Sequence, residues 1–210
     1  MILVEPEGGL PPVDREFYVM QGEMYSKYKV VACLVIWVNM QAFSTLAWCY
    51  LTVASVIALT CPPPTQMDGA TKITTDAMRL SQEWASHVVF NGHTDALTTI
   101  APMHANLDET IRVYFGVGGP NLISSFHIIG TVFTKVYSEG SLLAPPLTNT
   151  QSTVVTPGGS TVVELKAYKE GDMTLVDHAL SRAFDKGCLG LIKIAADPKK
   201  NTDLVYSKVM

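Results

Sequence analysis

From Val30 to Met67 the chain runs for 38 residues without one Asp, Glu, Lys or Arg. Its first 30 residues, Val30 to Leu59, are rich in Val, Ala, Leu, Ile and Trp, and their polar members are limited to Asn, Gln, Ser, Thr and Cys. About 20 mostly apolar residues are enough for a helix to cross a bilayer. Cys61-Pro62-Pro63-Pro64 then ends any helix, because proline lacks the amide hydrogen and clashes with the preceding turn. Lys27 and Lys29 on the N-terminal flank favour a cytoplasmic start. The competing reading is a buried core helix, but 30 residues is long for one and both faces are apolar. Taken alone, the block reads as a membrane span.

The remainder is ordinary. Charged residues make up only 16% of the whole chain, against about a quarter in a typical soluble protein, but all 15 basic and 19 acidic residues lie outside the block. That excludes a disordered chain and a wholly membrane-embedded one. A net charge of −4 with no basic cluster gives no reason to expect a nucleic-acid partner. Cys33, Cys49 and Cys61 sit in or beside the block and Cys188 stands alone, with no zinc-ribbon or thioredoxin spacing. The N-terminus, Met1-Ile-Leu-Val-Glu-Pro-Glu, puts acids where a signal peptide carries its basic region, so no cleavable secretory signal is expected.

On both sides of the block the pattern is that of short strands. Met1 to Val4 reads as a short strand closed by Pro6, Gly8, Gly9 and Pro11-Pro12, and Glu16 to Gln21 as an aromatic and β-branched strand with a further piece at Met24-Tyr25. A short helix is expected around Asp76 to Trp84 and another over Leu180 to Lys186. Strands are expected at 88–90, 110–115, 126–129, 132–137, 152–155, 160–167, 173–177 and 190–194, with a loose tail after Pro198. Turn residues separate them at Gly116 to Pro120, Gly140, Pro145-Pro146, Pro157 to Gly159, Gly171-Asp172 and Gly187. Many short strands at this spacing predict a β-sandwich or barrel.

Five histidines, His87, His93, His104, His127 and His178, are the main chemical candidates. None is paired at a metal-ligand spacing such as i, i+2 or i, i+4, so a self-contained metal site is not predicted. His127 lies in an apolar strand between Phe126 and Ile128-Ile129, where burial would tie its protonation to its partners. His178 follows Val176-Asp177 at a strand end, where a side chain projects from a rigid edge. Gly116-Val117-Gly118-Gly119 lacks the lysine and hydroxyl of a phosphate loop and reads as a turn between strands. Cys188 has no base partner and reads as a small turn or core residue. No histidine follows Cys188 and none lies between Cys61 and Met67, so a blue-copper (type-1) site is not expected in this chain.

Five stretches, at 2–25, 88–98, 109–140, 151–166 and 175–194, resemble the C-terminal cupredoxin domain of copper-containing nitrite reductases; the most specific are SSFHIIG and LVDHALSRAFDKG. The resemblance implies an all-β fold, a cupredoxin-like Greek-key β-sandwich, here interrupted by one long apolar, helical and potentially membrane-spanning segment. It implies a homotrimer that reduces nitrite to nitric oxide by one electron at a type-2 copper shared between subunits. By motif, His178 matches the single copper ligand that this domain lends to a neighbour, His127 the histidine that relays a proton to nitrite, and Ile129 the apolar residue that caps the copper. Ser152 or Thr153 is expected to orient His127 by hydrogen bonding. Members of the family are periplasmic, outer-membrane-anchored or mitochondrial.

Two departures shape the expectation. The N-terminal cupredoxin domain, which in the family carries the other copper ligands, is missing, so the type-2 site is incomplete and the polypeptide alone is expected to be inactive. The expected organisation is residues 1–28 as the last strand of that first domain plus the first strand of the second, 30–66 as the apolar insertion, 67–197 as the second cupredoxin domain and 198–210 as a tail. The family has no apolar block between these strands, and a single crossing there would put the strand at Glu16 to Tyr25 on the wrong side of the membrane from its sheet. A translated intron is one resolution, since Lys29-Val30 can be coded AAG-GT and Gln66 CAG; a genuine anchor, with the protein then at a membrane, or a hydrophobic hairpin are the others. A non-catalytic, membrane-tethered cupredoxin-like module and a multicopper-oxidase-type domain are the alternative functions.

Overall fold

Which face of each strand turns inward follows from which of its alternating residues are apolar. The computed structural model describes residues 3–26 and 75–196. The chain divides into two compact units, Met1–Tyr25 with Ala77–Met210, and Ser26–Asp76. In the second unit Ser26 and Thr75 form an antiparallel bridge. The apolar block, its expected helix and the tail after Pro198 lie outside the described residues. Among the described residues no helix is long and apolar enough to cross a membrane.

The first unit is a sandwich of two sheets. One has six strands in the order β2 (His87–Phe90), β1 (Arg15–Met24), β4 (Thr110–Gly119), β9 (Ser160–Lys166), β6 (Phe133–Tyr137) and β7 (Leu147–Thr150). The other has five, β3 (Met103–Asn106), β11 (Leu189–Ala195), β10 (Gly171–Asp177), β5 (Ser124–Ile129) and β8 (Ser152–Val155). Pairings are antiparallel except β1 with β4 and β3 with β11, which are parallel. Helices α1 (Ala77–Ser81) and α2 (Leu180–Lys186) are short.

Side chains alternate across each strand, and the inward set forms one core. Val19, Ile111, Val113, Phe115, Val163 and Leu165 of the first sheet meet Phe126, Ile128, Leu175, Ile192 and Ile194 of the second. Phe90, Phe115, Phe126 and Phe133 form a chain of rings across the gap: Phe115 stacks on Phe126 at 3.9 Å between centroids, and Phe126 on Phe133 at 5.9 Å. Burial of each such ring contributes about 1.5–3 kcal/mol, so this row is a principal tie between the layers.

The outer face of the first sheet is also covered. Leu3 and Leu10 of the N-terminal segment pack on Tyr114, Tyr137 and Val162. Arg112 lies beneath that segment, donating to Pro11 O and pairing with Glu16 at 2.9 Å and Glu164 at 2.7 Å; Lys135 holds the other Glu164 oxygen at 2.9 Å. Tyr114 donates to Glu16 and stacks on Tyr18 at 4.8 Å.

The structure changes several expectations. Residues 3–4 are not in a strand and the segment they begin lies along the sheet instead. Gly116 to Gly119 is not a turn but the end of β4, and a Cβ at Gly118 would already touch Gln21 O at 3.4 Å, so glycine admits the neighbouring strand. The sequence pattern missed β3 and β7, four-residue edge strands with polar members at His104 and Asn106 or at Thr148 and Asn149. Both helices occur where expected, and Leu180–Lys186 matches at both ends. That end is fixed by Gly187, whose φ of +94° and whose approach to Thr94 (2.6 Å from an added Cβ) leave room for no side chain.

Candidate functional site

The strand alternation in β5 separates two kinds of side chain. Ser124, Phe126 and Ile128 point into the core, and Ser125, His127 and Ile129 point to the outer face of the five-stranded sheet. His127 is therefore only half-buried, which corrects the expectation of a buried imidazole: its apolar neighbours in sequence lie on the opposite side of the strand. Ile129 shares its face and is 42% exposed.

His178 is the first residue beyond β10, the strand antiparallel to β5, with Asp177 opposite Phe126 and Val176 opposite His127. Its backbone N–H donates to Ser125 O at 2.8 Å, and its side chain is exposed. The strand pairing brings the two imidazoles together, with ring centroids 5.4 Å apart and planes inclined at 59°. His127 Nδ1 donates to the carbonyl oxygen of Gln151 at 2.5 Å. In the neutral ring this contact places the hydrogen on Nδ1 and leaves the Nε2 lone pair for a proton or a metal. The orienting partner is thus the Gln151 backbone, where Ser152 or Thr153 had been expected. Ser152 sits directly across from His127 in β8, and Thr153 faces Phe126.

The other histidines do not join this pair. His87 begins β2 with Nδ1 3.3 Å from Ser86 Oγ, and burial, with the charge of Lys186, lowers its pKa from the usual value. His93 accepts the Asp95 N–H in a turn, and His104 lies in β3. Cys188 is a fully buried core residue, as expected; burial first, and the Asp177 charge second, push its thiol pKa up and disfavour the thiolate.

Neutral imidazole is a good copper donor, so His178, and His127 beside it, suit that metal in kind. In number they do not complete a site. Among the described residues no group of three or more His, Cys, Asp or Glu could hold an ion. A fully coordinated copper here would need ligands from outside the described residues.

Sequence reasoning overlooked the support under His178. Asp177 is fully buried, and its carboxylate accepts from Ser125 N, Ala179 N, Gln21 Nε2 and Arg182 Nη1. The available signal was polarity out of place: an aspartate closing the apolar run Leu175-Val176, and a glutamine directly after Tyr18-Val19-Met20.

No family model matches the chain. Sequence comparison finds copper-containing nitrite reductases: that of Neisseria meningitidis serogroup A is 40% identical over 209 residues, 100% of this chain and 44% of the relative. That of Neisseria gonorrhoeae is 39% identical over 209 residues and 43% of its own length, and that of Pseudomonas chlororaphis 34% identical over 110 residues, 52% of this chain. The chain thus spans less than half the length of the curated relatives it matches. Among solved structures, a Cu-containing nitrite reductase from Thermus scotoductus (TM-score 0.61, 22% identity) covers 89% of this chain and 32% of its own. A copper nitrite reductase from Nitrosomonas europaea (TM-score 0.61, 23% identity) covers 90% of this chain and 51% of its own. A multicopper oxidase superposes with a TM-score of 0.54 at 18% identity, and at such identities these structures establish the fold, which is all-β and cupredoxin-like. Along its entire length this chain is similar to a part of the copper-containing nitrite reductases.

Proposed function

We propose that the chain supplies one share of a nitrite-reducing copper centre. His178 is the metal ligand it lends, His127 passes a proton to bound nitrite, and Ile129 limits the space above the ion. The observation that carries this reading is the 5.4 Å approach of two imidazoles, one on β5 and one just beyond the end of β10, with Ile129 two residues along from His127 on the same face. Copper, when bound, supplies the electron for nitrite, two protons and one electron to give nitric oxide and water. The reaction consumes protons, so an imidazole beside the ligand is chemically useful, because its ring can both accept and donate one. With Nδ1 on the Gln151 carbonyl, His127 has Nε2 left to take up a proton and hand it on.

In this reading the other ligands come from an N-terminal cupredoxin domain carried by a neighbouring subunit, in the homotrimeric arrangement that the resemblance implies. Exposed Ile123, Val154, Leu180 and Phe184 on and around β5, β8 and α2 are consistent with a covering partner. The sandwich of β1 with the residues after 75 acts as the second cupredoxin domain, and the polypeptide by itself does not turn over nitrite.

The membrane-tethered alternative is weakened by one pairing. β1 and β2 are hydrogen-bonded from Gln21↔Phe90 to Met24↔His87, and a segment crossing a bilayer once between them would place bonded strands on opposite sides. The multicopper-oxidase alternative shares the sandwich, but the histidine motifs favour the first reading.

The test uses the full chain with one equivalent of Cu2+, nitrite and ascorbate, with a nitric oxide electrode and copper EPR. Nitric oxide formation should not exceed that of free copper, and a nitrogen-coupled copper signal should be lost in His178→Ala. Turnover above the free-copper control would sink the inactivity, and an identical signal in His178→Ala would sink the ligand assignment.

A further inference from the structure

The geometry points to Asp177 as a positioning residue, the hub of a buried hydrogen-bond network that holds the His178 imidazole against His127. The residue is wholly inaccessible, faces Phe126 across the β10–β5 ladder, and lies one position before His178. A carboxylate in such a place is expensive to desolvate unless every lone pair is used. Here the two oxygens divide four donors between them. Oδ1 accepts the backbone N–H groups of Ser125 and Ala179, both at 3.2 Å. Oδ2 accepts Gln21 Nε2 at 3.2 Å and Arg182 Nη1 at 2.8 Å.

Each donor fixes a different neighbour of His178. Ala179 N and the carboxylate close the chain tightly around His178, while Ser125 O takes the His178 N–H itself at 2.8 Å. The Ser125 N–H bond ties the same turn to β5, two residues before His127. Arg182 reaches back from α2 to Asp177 and also donates to Ile123 O at 2.6 Å, so the helix after His178 and the approach to β5 share one guanidinium. Gln21 crosses the core from the other sheet, giving its amide hydrogens to Asp177 and accepting from the Cys188 thiol at 3.4 Å. The backbone bearing an exposed imidazole is thus anchored to β1, β5 and α2 by buried groups. A merely stabilising polar cluster would not need to converge on the two peptide groups flanking His178.

Charge and acceptor count make the network separable from packing. Asp177→Asn keeps the shape but offers one oxygen to four donors, leaving donors without partners and Arg182 without its counter-charge. The expected consequence is a His178 turn that samples other arrangements.

The copper arm of the test rests on the reading of His178 as a ligand; the positioning arm does not. In the metal-free full chain, NMR of the histidine rings should show His127–His178 ring cross-relaxation and an ordered His178 ring. Asp177→Asn should lose the cross-relaxation and lower the His178 ring order while the core methyl signals stay in place. Arg182→Met should do the same to a smaller degree, and Arg182→Lys should restore part of it; this pair carries the test if Asp177→Asn fails to fold, since Arg182 is partly exposed. Unchanged ring order and cross-relaxation in the folded variants, with only a lower melting temperature, would overturn the proposal. Cu2+ titration of the same proteins should then show affinity weakened about 10-fold or more in Asp177→Asn, the scale of losing a group that orients a metal ligand. Equal Cu2+ affinity in wild type and His178→Ala would refute the ligand reading while leaving the ring-order result to decide the positioning one.

Discussion

The two sheets turn opposite kinds of polar surface outward. On the six-stranded sheet, Arg112, Glu16, Glu164, Lys135 and Tyr114 satisfy one another under the N-terminal segment. On the five-stranded sheet, His127 and His178 lie side by side with their partners drawn from the backbone beneath them and an apolar rim around them. Both clusters arise from the same device, polar residues on the outward side of alternating strands. The first is closed: burial works against the Arg112 charge, but its hydrogen bonds with Glu164, Glu16 and Tyr114 outweigh it and raise the pKa. The second keeps donor atoms in reach of solvent. A saturated cluster builds structure, and an unsaturated pair of imidazoles can do chemistry.

Removing the hub of the closed cluster should break this contrast most visibly. Arg112→Met strands Glu164, whose side chain is 4% exposed, with only Lys135, and releases the Pro11 contact. Loss of one partner from a buried pair typically costs about 3–5 kcal/mol; Lys135 should keep the effect near the lower end. Urea unfolding would register it as a lower midpoint, while the His127–His178 ring contact should persist in the folded fraction. If the ring contact is lost as well, the two faces are coupled and the division drawn between them is wrong.

A smaller effect is expected where a carboxylate is partly open. Glu109 accepts two bonds from Arg15 and two from Asn106 at 2.7–3.2 Å. Burial raises its pKa, but these bonds and the Arg15 charge together outweigh it, so the net shift is downward. A depressed carboxyl stabilises the fold fully above its ordinary value and loses that contribution as pH falls through the folded value. Glu109→Gln should therefore cost about 1 kcal/mol near pH 7, and the gap to wild type should close on acidification below the usual carboxylate range. A gap that stays constant down to pH 3 would mean that the charge is not what matters.

How much of this was readable in advance depends on how far each feature reaches along the chain. Strands rich in β-branched and aromatic residues, such as Ser152 to Val155 and Phe126 to Ile129, were legible because that signal is local. The edge strands β3 and β7 were not: both are only four residues long, β3 turning just Met103 and Ala105 inward and β7 being almost wholly exposed, so their identity depends on a neighbour. The candidate histidines were legible through SSFHIIG and LVDHALSRAFDKG, a resemblance rather than a spacing. Their meeting was not, because His127 and His178 are 51 positions apart and come together through the register of β5 with β10. The Gln21–Asp177 bond spans 156 positions and two sheets, beyond any local signal. The apolar block, the strongest feature of the sequence, falls outside the described residues.

The smallest effect sharpens the comparison between an enclosed imidazole and the open pair. His87 starts β2, partly buried, and desolvation followed by repulsion from Lys186 lowers its pKa from the ordinary 6.5. The folded chain therefore holds this ring neutral where the unfolded chain would begin to protonate it. Its contribution is complete above the unfolded value and is lost as pH falls through the folded one, so it makes stability decline on acidification below about pH 6.5. His87→Asn removes the titration but keeps a short polar side chain at the start of the strand. Unfolding midpoints at pH 7.5 should change little, and the drop between pH 6.5 and pH 5 should become shallower by a fraction of one proton. An unaltered slope would show that His87 is not among the groups that set it, and that an enclosed histidine in this sandwich titrates no differently from a free one.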